Sequence, residues 1–266
     1  MTRVQPEPGV SVPSPQTVAR LPVLGTNVSA STFDAACETI AGWVRDREPR
    51  YVSCANVYSL MLARDVPEYQ RMLNGASYVT ADGMPVVWAL RAFGVPAERV
   101  HNDDLFFSCC ERYPQWRHVL VGGREGQPQR AAEEAMRRFP SLRVVGAHPT
   151  PDRPVPPERT RQIIDAIREV RPDVVWVGMG TPAQDFWMAS AVAEAGVPMV
   201  ACGSLFDLLT GHTRPAPAWM KRAGLQWLFR LAQEPRRLAF RYLTYNPRFM
   251  IAIAAEMMRR PRRPRS

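Results

Sequence analysis

One carboxylate stands where a chemical reaction could use it. The segment VTADG (79–83) predicts the end of a short buried strand, followed at once by Asp82. A carboxylate at the carboxyl end of a strand can take the proton of an attacking hydroxyl when it lies within hydrogen-bond reach. An Asp-Gly pair is also typical of a plain turn, and taken alone the pair favours that interpretation.

A glycine turn offers a second candidate element. The segment VVWVGMGTPAQDFW (174–187) predicts a buried strand, a turn containing Gly178 and Gly180, and a helix that opens at Thr181. Glycines let backbone N–H groups approach an anion at the positive end of a helix. The turn is neither a GxGxxG nor a Walker loop, and ordinary strand-to-helix turns look the same. Gln184, one turn into the helix, is a candidate donor to a sugar hydroxyl or phosphate, although a lone glutamine is more often a surface residue.

The cations are concentrated at the C-terminus. The chain of 266 residues has 34 Lys+Arg and 25 Asp+Glu, a formal net charge of +9. Residues 214–266 contain 13 of the cations and two of the acids, a net charge of +11, so the other 213 residues carry −2. Such a segment favours a polyanionic partner: nucleic acid, diphosphate groups or an anionic membrane.

Large apolar side chains alternate with the arginines of this segment, as at Trp227 and at Phe240-Arg241-Tyr242. Tryptophan and tyrosine beside cations suit a membrane interface, and arginine forks suit diphosphate oxygens. A helix that packs its apolar face on the core and solvates its arginines gives the same pattern. A nucleic-acid partner also fits the charge, but no recognisable RNA- or DNA-binding motif accompanies it.

Other kinds of site find little support. No HxxxH, HExxH or DxD spacing is present, and the four histidines are assigned to surface or satisfied core positions: His101, His118, His148 and His212. The five cysteines lack CxxC spacing and predict reduced core residues. No GxSxG elbow suggests a serine nucleophile, and no run of ~18 apolar residues suggests a spanning helix. We expect no metal and no other cofactor.

Short apolar runs alternate with amphipathic stretches from Leu21 to Thr213. The strand-like runs include YVSCAN (51–56), HVLVGG (118–123), LRVVGAH (142–148) and VPMVACGS (197–204). This alternation predicts an α/β fold: a Rossmann-like, mainly parallel sheet with helices on both faces. Ligands bind such sheets beyond the carboxyl ends of the strands. The candidate residues named above fall there.

Three regions are predicted along the chain. Residues 1–20 hold four prolines and predict a flexible leader, and residues 21–213 form the Rossmann-like catalytic domain. Residues 214–266 form a basic, membrane-proximal helical appendage, whose helices at 218–233, 235–245 and 246–260 are bounded by prolines, Pro247 among them.

Taken together, these segments resemble the WecG/TagA/CpsF family of bacterial glycosyltransferases. The likeness runs from about Leu21 to Tyr242, with the motifs in the family's order. Asn56 is similar to the end of T-x-N, ADG (81–83) to the signature acid, and ERV with the following Asp104-Leu105 to ERVTGxDL. GMGTPAQDFW, FDLLTG (206–211) and residues 216–242 resemble G-x-G-x-P-x-Q-E-x-W, FDFxxG and the AP-x-W…RY ending.

The resemblance implies transfer of a hexose, an N-acetylhexosamine or its uronate from a UDP-sugar to a polyprenyl-diphosphate-linked saccharide. It implies inversion, no metal, and a peripheral location on the inner face of the cytoplasmic membrane; a homo-oligomer stays open. Asp82 would be the base, with Gln184, Arg230 and Arg237 completing the catalytic set. The implied substrate-binding residues are Cys54, Asn56, Asn102, Asp104, Gly178, Gly180, Thr181, Asp207 and Arg241.

The sequence departs from the family pattern at a few positions. Cys54 replaces the threonine of T-x-N, His101-Asn102 replaces TG, and Pro215 replaces an arginine. Cys54 and Asn102 fall near the implied sugar pocket and bear on the identity of the donor. The retained Asp82, Gln184, Arg230 and Arg237 indicate an active enzyme. The alternatives are a nucleic-acid-binding protein that uses the basic segment and an NAD oxidoreductase, which would need a GxGxxG fingerprint.

Overall fold

The structure is a computed structural model that describes residues 18–217, 219–220 and 224–260, except for the side chain of Arg237. Residues 1–17 of the predicted leader and residues 261–266 of the predicted appendage lie outside the described residues. Arg20, the last residue of the predicted leader, begins the first strand.

A sheet of six parallel strands forms the centre of the molecule. The strands are β3 (Tyr51–Ala55), β4 (Tyr78–Ala81), β5 (Arg117–Gly122), β6 (Arg143–His148), β7 (Val174–Gly178) and β8 (Met199–Ala201). They lie in the order β4-β3-β8-β7-β5-β6, and each neighbouring pair is parallel. The predicted α/β fold with a mainly parallel sheet is confirmed.

Helices cover both faces of the sheet. They are α1 (Phe33–Asp46), α2 (Val57–Asp65), α3 (Pro67–Gly75), α4 (Met84–Ala92), α5 (Asn102–Arg112), α6 (Gln127–Arg138), α7 (Pro157–Val170), α8 (Ala183–Ala195), α9 (Leu205–Leu209), α10 (Gln226–Gln233) and α11 (Pro235–Arg259). One apolar core joins the sheet to α2, α4, α7, α8 and α11, and the other joins it to α1, α5, α6 and α9.

The continuous apolar runs follow from this two-sided burial. In β7, Val175 and Val177 belong to one core, and Val174 and Trp176 belong to the other. Successive side chains of a strand point to opposite faces, so a strand covered on both sides needs apolar residues at every position. This is why the sequence pattern identified the strands of this sheet.

The first apolar run, LPVLG, does not join the parallel sheet. It forms β1 (Arg20–Val23) and pairs antiparallel with β2 (Thr26–Ser29). The two turn residues, Leu24 and Gly25, both have positive φ angles, as a two-residue hairpin turn requires. An alternation of strands and helices contains no signal for such a hairpin.

The expected helix boundary at Pro247 is wrong. Pro247 lies inside α11, a helix of 25 residues. Proline removes one helix hydrogen bond at a cost of about 3 kcal/mol, but the lost bond would be accepted by Leu243 on the exposed face, where water can replace it. The buried Phe249 and Ile253 hold the following turns against the core. None of the described helices is both long enough and apolar enough to cross a bilayer.

Candidate active site

A cavity of about 270 Å³ opens at the carboxyl ends of β3, β4, β7 and β8. The loops after these four strands form its floor, and α10 and α11 contribute the opposite wall. From β3 the chain continues to β4 at one edge of the sheet, and from β5 it continues to β6 at the opposite edge. The cavity therefore lies where the order of the strands changes direction. Ligands bind doubly wound sheets at such a point.

Asp82 projects from the end of β4 into this cavity. Its backbone N–H donates to the carbonyl of Ala55 at 2.9 Å, which ties the loop to the neighbouring strand β3. Gly83 has a φ of 152°, a conformation that favours glycine, and α4 begins directly after it. The Asp-Gly pair therefore makes the turn and also leaves the carboxylate, 19% exposed, open to a ligand.

Asn56 joins the end of β3 to the C-terminal helix. It is the N-cap of α2: its Oδ1 accepts from the Ser59 N–H at 3.1 Å, and the Ser59 hydroxyl accepts from the Asn56 N–H at 2.8 Å. The same Oδ1 accepts from Arg241 Nη2 at 3.3 Å. The Arg241 guanidinium also lies 3.8 Å from the centre of the Tyr58 ring, a cation–π contact. Arg241 of α11 is thereby fixed at the strand ends.

Aromatic side chains fix the position of α10 and α11 as well. Trp227 of α10 contacts Tyr242 of α11 edge to face, with ring centres 5.9 Å apart. Tyr245 of α11 meets Tyr58 of α2 in the same geometry at 5.1 Å. Arg230 of α10 lines the cavity. The side chain of Arg237, the fourth predicted catalytic residue, lies outside the described residues.

Gln184 is buried in the cavity floor, not exposed on the surface. Its Oε1 accepts from the Gly180 N–H at 3.1 Å and so holds the turn before α8. Among the described residues its amide nitrogen has no hydrogen-bond partner, which leaves a donor available at a cavity that Gly180 and Thr181 also line. The predicted role in ligand contact stays a prediction, and a role in shaping the turn is added to it.

The structure does not bring Gly178 and Asp104 into the cavity. Gly178 packs under α9, where a Cβ atom would come within 2.8 Å of the Phe206 ring, so glycine is needed there for close packing. Asp104 turns away and accepts from Arg99 Nη2 at 3.1 Å. Side chains at neighbouring helix positions point about 100° apart. Asp103 therefore lines the cavity, whereas Asp104 does not.

Asn102 and Asp207 line the cavity with side chains that already bond to the protein. Asn102 accepts from the Thr80 hydroxyl at 2.7 Å and donates to the Ala201 carbonyl at 2.6 Å, so it bridges β4 and β8. Asp207 accepts from Gln127 Nε2 at 2.7 Å. Both were predicted to bind substrate, and their bonds make them parts of the cavity wall as well.

Cys54 occupies the floor beside Asp82 and is 8% exposed. Burial raises the pKa of this thiol well above its usual value, and the carboxylates of Asp82, Asp185 and Asp103 add to the shift. The side chain is therefore a neutral thiol at neutral pH. All five cysteines are buried and free, as predicted.

Among the cavity residues that the sequence analysis missed are His101 and Asp103, which lie close to Asp82 or to each other. His101, assigned there to the surface or the core, lines the cavity with its Nε2 3.7 Å from Asp82 Oδ1. Asp103 is buried, and burial raises the pKa of its carboxyl, partly offset by His101, the Ser204 hydroxyl and Arg230. The available signal was their position in ERVHNDDL, the segment that resembles a family motif. Among the described residues, no cluster of three or more histidine, cysteine or acidic side chains is placed to bind a metal.

A model of the glycosyl transferase WecG/TagA/CpsF family matches residues 21–263. The chain belongs to this family and is a glycosyltransferase, which decides against the nucleic-acid-binding and NAD-oxidoreductase alternatives. It is similar to the N-acetylglucosaminyldiphosphoundecaprenol N-acetyl-beta-D-mannosaminyltransferase of Bacillus spizizenii, with 28% identity over 197 residues. The alignment covers 70% of this chain and 72% of that relative.

Two arginines of α11 provide a matched test of the cavity. We expect Arg241→Ala to lower the rate of sugar transfer at least tenfold, on the order of one lost charge-assisted contact, because the guanidinium lines the cavity. Arg248→Ala removes an exposed ion pair with Asp65, worth at most about 1 kcal/mol, and should leave the rate within about twofold of wild type. Steady-state assays of both variants, with urea unfolding as a control for folding, make the comparison. Equal rates for the two variants would contradict the placement of α11 in the active site.

Proposed function

We propose that this protein is an inverting, metal-independent transferase that moves a hexose, an N-acetylhexosamine or its uronate from a UDP-sugar to a polyprenyl-diphosphate-linked saccharide. The product would serve the synthesis of a cell-surface polysaccharide or wall polymer. The observation that carries the proposal is the composition of one cavity, which is lined by the Asp82 carboxylate and by two arginines from the C-terminal helices, Arg230 and Arg241.

Asp82 is the base in this scheme. It takes the proton of the acceptor hydroxyl as that oxygen attacks the anomeric carbon of the donor. The bond between the anomeric carbon and the diphosphate breaks at the same time, and its electron pair leaves on the UDP oxygen. Attack and departure on opposite faces of the sugar invert the anomeric centre. The open side of the carboxylate suits this role, since an acceptor must reach it.

Protein groups must stabilise the charge that develops on the departing diphosphate. Arg230 and Arg241 can place guanidinium forks on phosphate oxygens, which suit their planar pattern of donors. The free amide nitrogen of Gln184 supplies a neutral donor beside the turn at Gly180-Thr181. Preorganised donors of this kind lower the barrier most when water is excluded. Helices α10 and α11 cover one wall of the cavity and so reduce its contact with water.

The relative from Bacillus spizizenii supports the lipid-linked acceptor. Its name specifies a sugar acceptor joined through diphosphate to undecaprenol and a transferred N-acetylmannosamine unit. We extend the acceptor class to this chain, whereas the donor sugar stays within the wider group named above. Cys54 and Asn102 line the floor next to Asp82, so they are the positions expected to contact the sugar.

The outer face of α11 supports a location on the membrane where such an acceptor resides. Five large apolar side chains on this helix are more than half exposed: Phe240, Leu243, Met250, Ile251 and Met258. Their spacing places them on one stripe opposite the buried Phe249. An apolar stripe on a basic helix is typical of peripheral membrane binding. We propose that α11 lies on the anionic inner face of the cytoplasmic membrane.

The base is tested by Asp82→Asn. We expect sugar transfer to fall at least about 100-fold, the usual contribution of a general base, while UDP-sugar affinity stays within about twofold because the amide has the same shape. Assays of wild type against UDP-glucose, UDP-N-acetylglucosamine, UDP-N-acetylmannosamine and its uronate identify the donor first. Asp165→Asn, on the exposed side of α7, is the control for loss of a carboxylate. Full activity of Asp82→Asn would remove Asp82 as the base.

Membrane binding is tested by changing the stripe. The double variant Leu243→Ser and Ile251→Ser should bind anionic vesicles at least tenfold more weakly, since each apolar side chain buried in the interface contributes about 1.5–3 kcal/mol. Vesicle co-sedimentation measures this effect. Val66→Ser, at an exposed apolar residue outside α11, should bind like wild type. Unchanged partition of the double variant would refute the proposed orientation.

A further inference from the structure

His101 lies between two carboxylates at the edge of the cavity. It is the N-cap residue of α5, and its side chain is 11% exposed. Its Nε2 lies 3.7 Å from Asp82 Oδ1, and its Nδ1 lies 3.9 Å from Asp103 Oδ2. The ring therefore reaches from the start of α5 to the end of β4, where the proposed base stands.

The backbone determines which nitrogen of the neutral ring carries the proton. The Asp103 N–H donates to His101 Nδ1 at 3.2 Å, so Nδ1 acts as the acceptor. A neutral imidazole has one donor and one acceptor nitrogen, and its proton must then reside on Nε2. Nε2 is the nitrogen that faces Asp82. The helix cap thus selects the tautomer that can donate to the carboxylate.

We propose that His101 is a positioning residue for the reaction, which donates its Nε2–H to Asp82 Oδ1 and leaves the second carboxylate oxygen to the acceptor hydroxyl. This inference rests on the proposed function of Asp82 as the base. The present separation of 3.7 Å is longer than a hydrogen bond. Catalytic hydrogen bonds tighten in many enzymes when the substrate binds, and a movement of less than 1 Å would suffice here.

The proton of the acceptor does not pass through the ring in this scheme. The hydroxyl proton moves to the free oxygen of Asp82, and His101 keeps its Nε2–H throughout. The protonated Asp82 then returns to the carboxylate by releasing its proton to water through the open side of the cavity. His101 contributes by holding the carboxylate with its free oxygen toward the acceptor hydroxyl, since a fixed orientation lowers the entropic cost of the reaction.

Other charged groups line the same space. Among the described residues, Asp82 and Asp103 have carboxylate oxygens within 4 Å of the ring nitrogens. The cavity is also lined by Arg99, Asp207, Arg230 and Arg241, and the small cavity that adjoins it by Asp104, Arg214 and Glu234. Asp82 and Asp103 are therefore the two carboxylates whose contacts with the ring the experiment must separate.

Two substitutions separate positioning from helix capping. His101→Asn retains a good N-cap acceptor but is too short to reach Asp82. His101→Gln carries an amide N–H at about the reach of Nε2 but is a poor cap. If His101 positions Asp82, His101→Asn lowers kcat about three- to tenfold, the usual net contribution of one hydrogen bond, and His101→Gln keeps kcat within about twofold of wild type. KM for the UDP-sugar stays unchanged in both variants.

A purely structural role predicts the reverse ranking: His101→Gln lowers kcat and is less stable in urea, and His101→Asn behaves like wild type. That result would overturn the proposal. Asp103 also faces the ring, so His101→Asn is repeated in an Asp103→Asn background, where the fall in kcat should persist. Loss of the effect there would assign it to Asp103 and refute the role at Asp82. Absence of transfer by the wild-type protein with every UDP-sugar would instead refute the proposed function.

Discussion

The contact of Arg241 with Asn56 and Tyr58 joins the C-terminal helices to the sheet at the cavity. It fixes α11 at the end of β3, and the aromatic pair of Tyr58 with Tyr245 supports it one turn further on. The burial of Phe249 and Ile253 in the core holds the same helix further along its length. A carboxylate at the end of the sheet and arginines on the helices thereby share one cavity.

The same helix has two faces with different tasks. Its inner face buries Phe249 and Ile253 in the core, and Glu256 accepts from the Leu24 N–H of the hairpin turn at 2.9 Å. Its outer face exposes an apolar stripe. The arginines of this helix therefore have different surroundings: Arg241 lines the cavity, whereas Arg248 is exposed and pairs with Asp65. A single helix would then both line the cavity and carry the stripe proposed to face the membrane.

Much of the fold follows from local sequence pattern, and much of the site does not. The buried parallel strands and the periodic helices α1 and α7 were predictable because each apolar position in their sequences corresponds to a face that is buried in the fold. The helix boundary predicted at Pro247 was wrong because the burial of Phe249 and Ile253 in the core, a tertiary contact, offsets the cost of the proline. The cavity roles of His101 and Asp103 depend on where α5 begins relative to the end of β4, a tertiary relation that spacing along the chain does not encode. The family resemblance supplied Asp82 and Gln184.

The central claim is that the strand-end loops and the C-terminal helices bind the donor together. Hydrogen–deuterium exchange of the full chain with and without UDP tests it most directly. The account predicts protection on UDP binding in the turn at Gly180, in the loop at Asp82, and in residues 226–246 of α10 and α11. Protection confined to the two loops, with exchange in residues 226–246 unchanged, would contradict it.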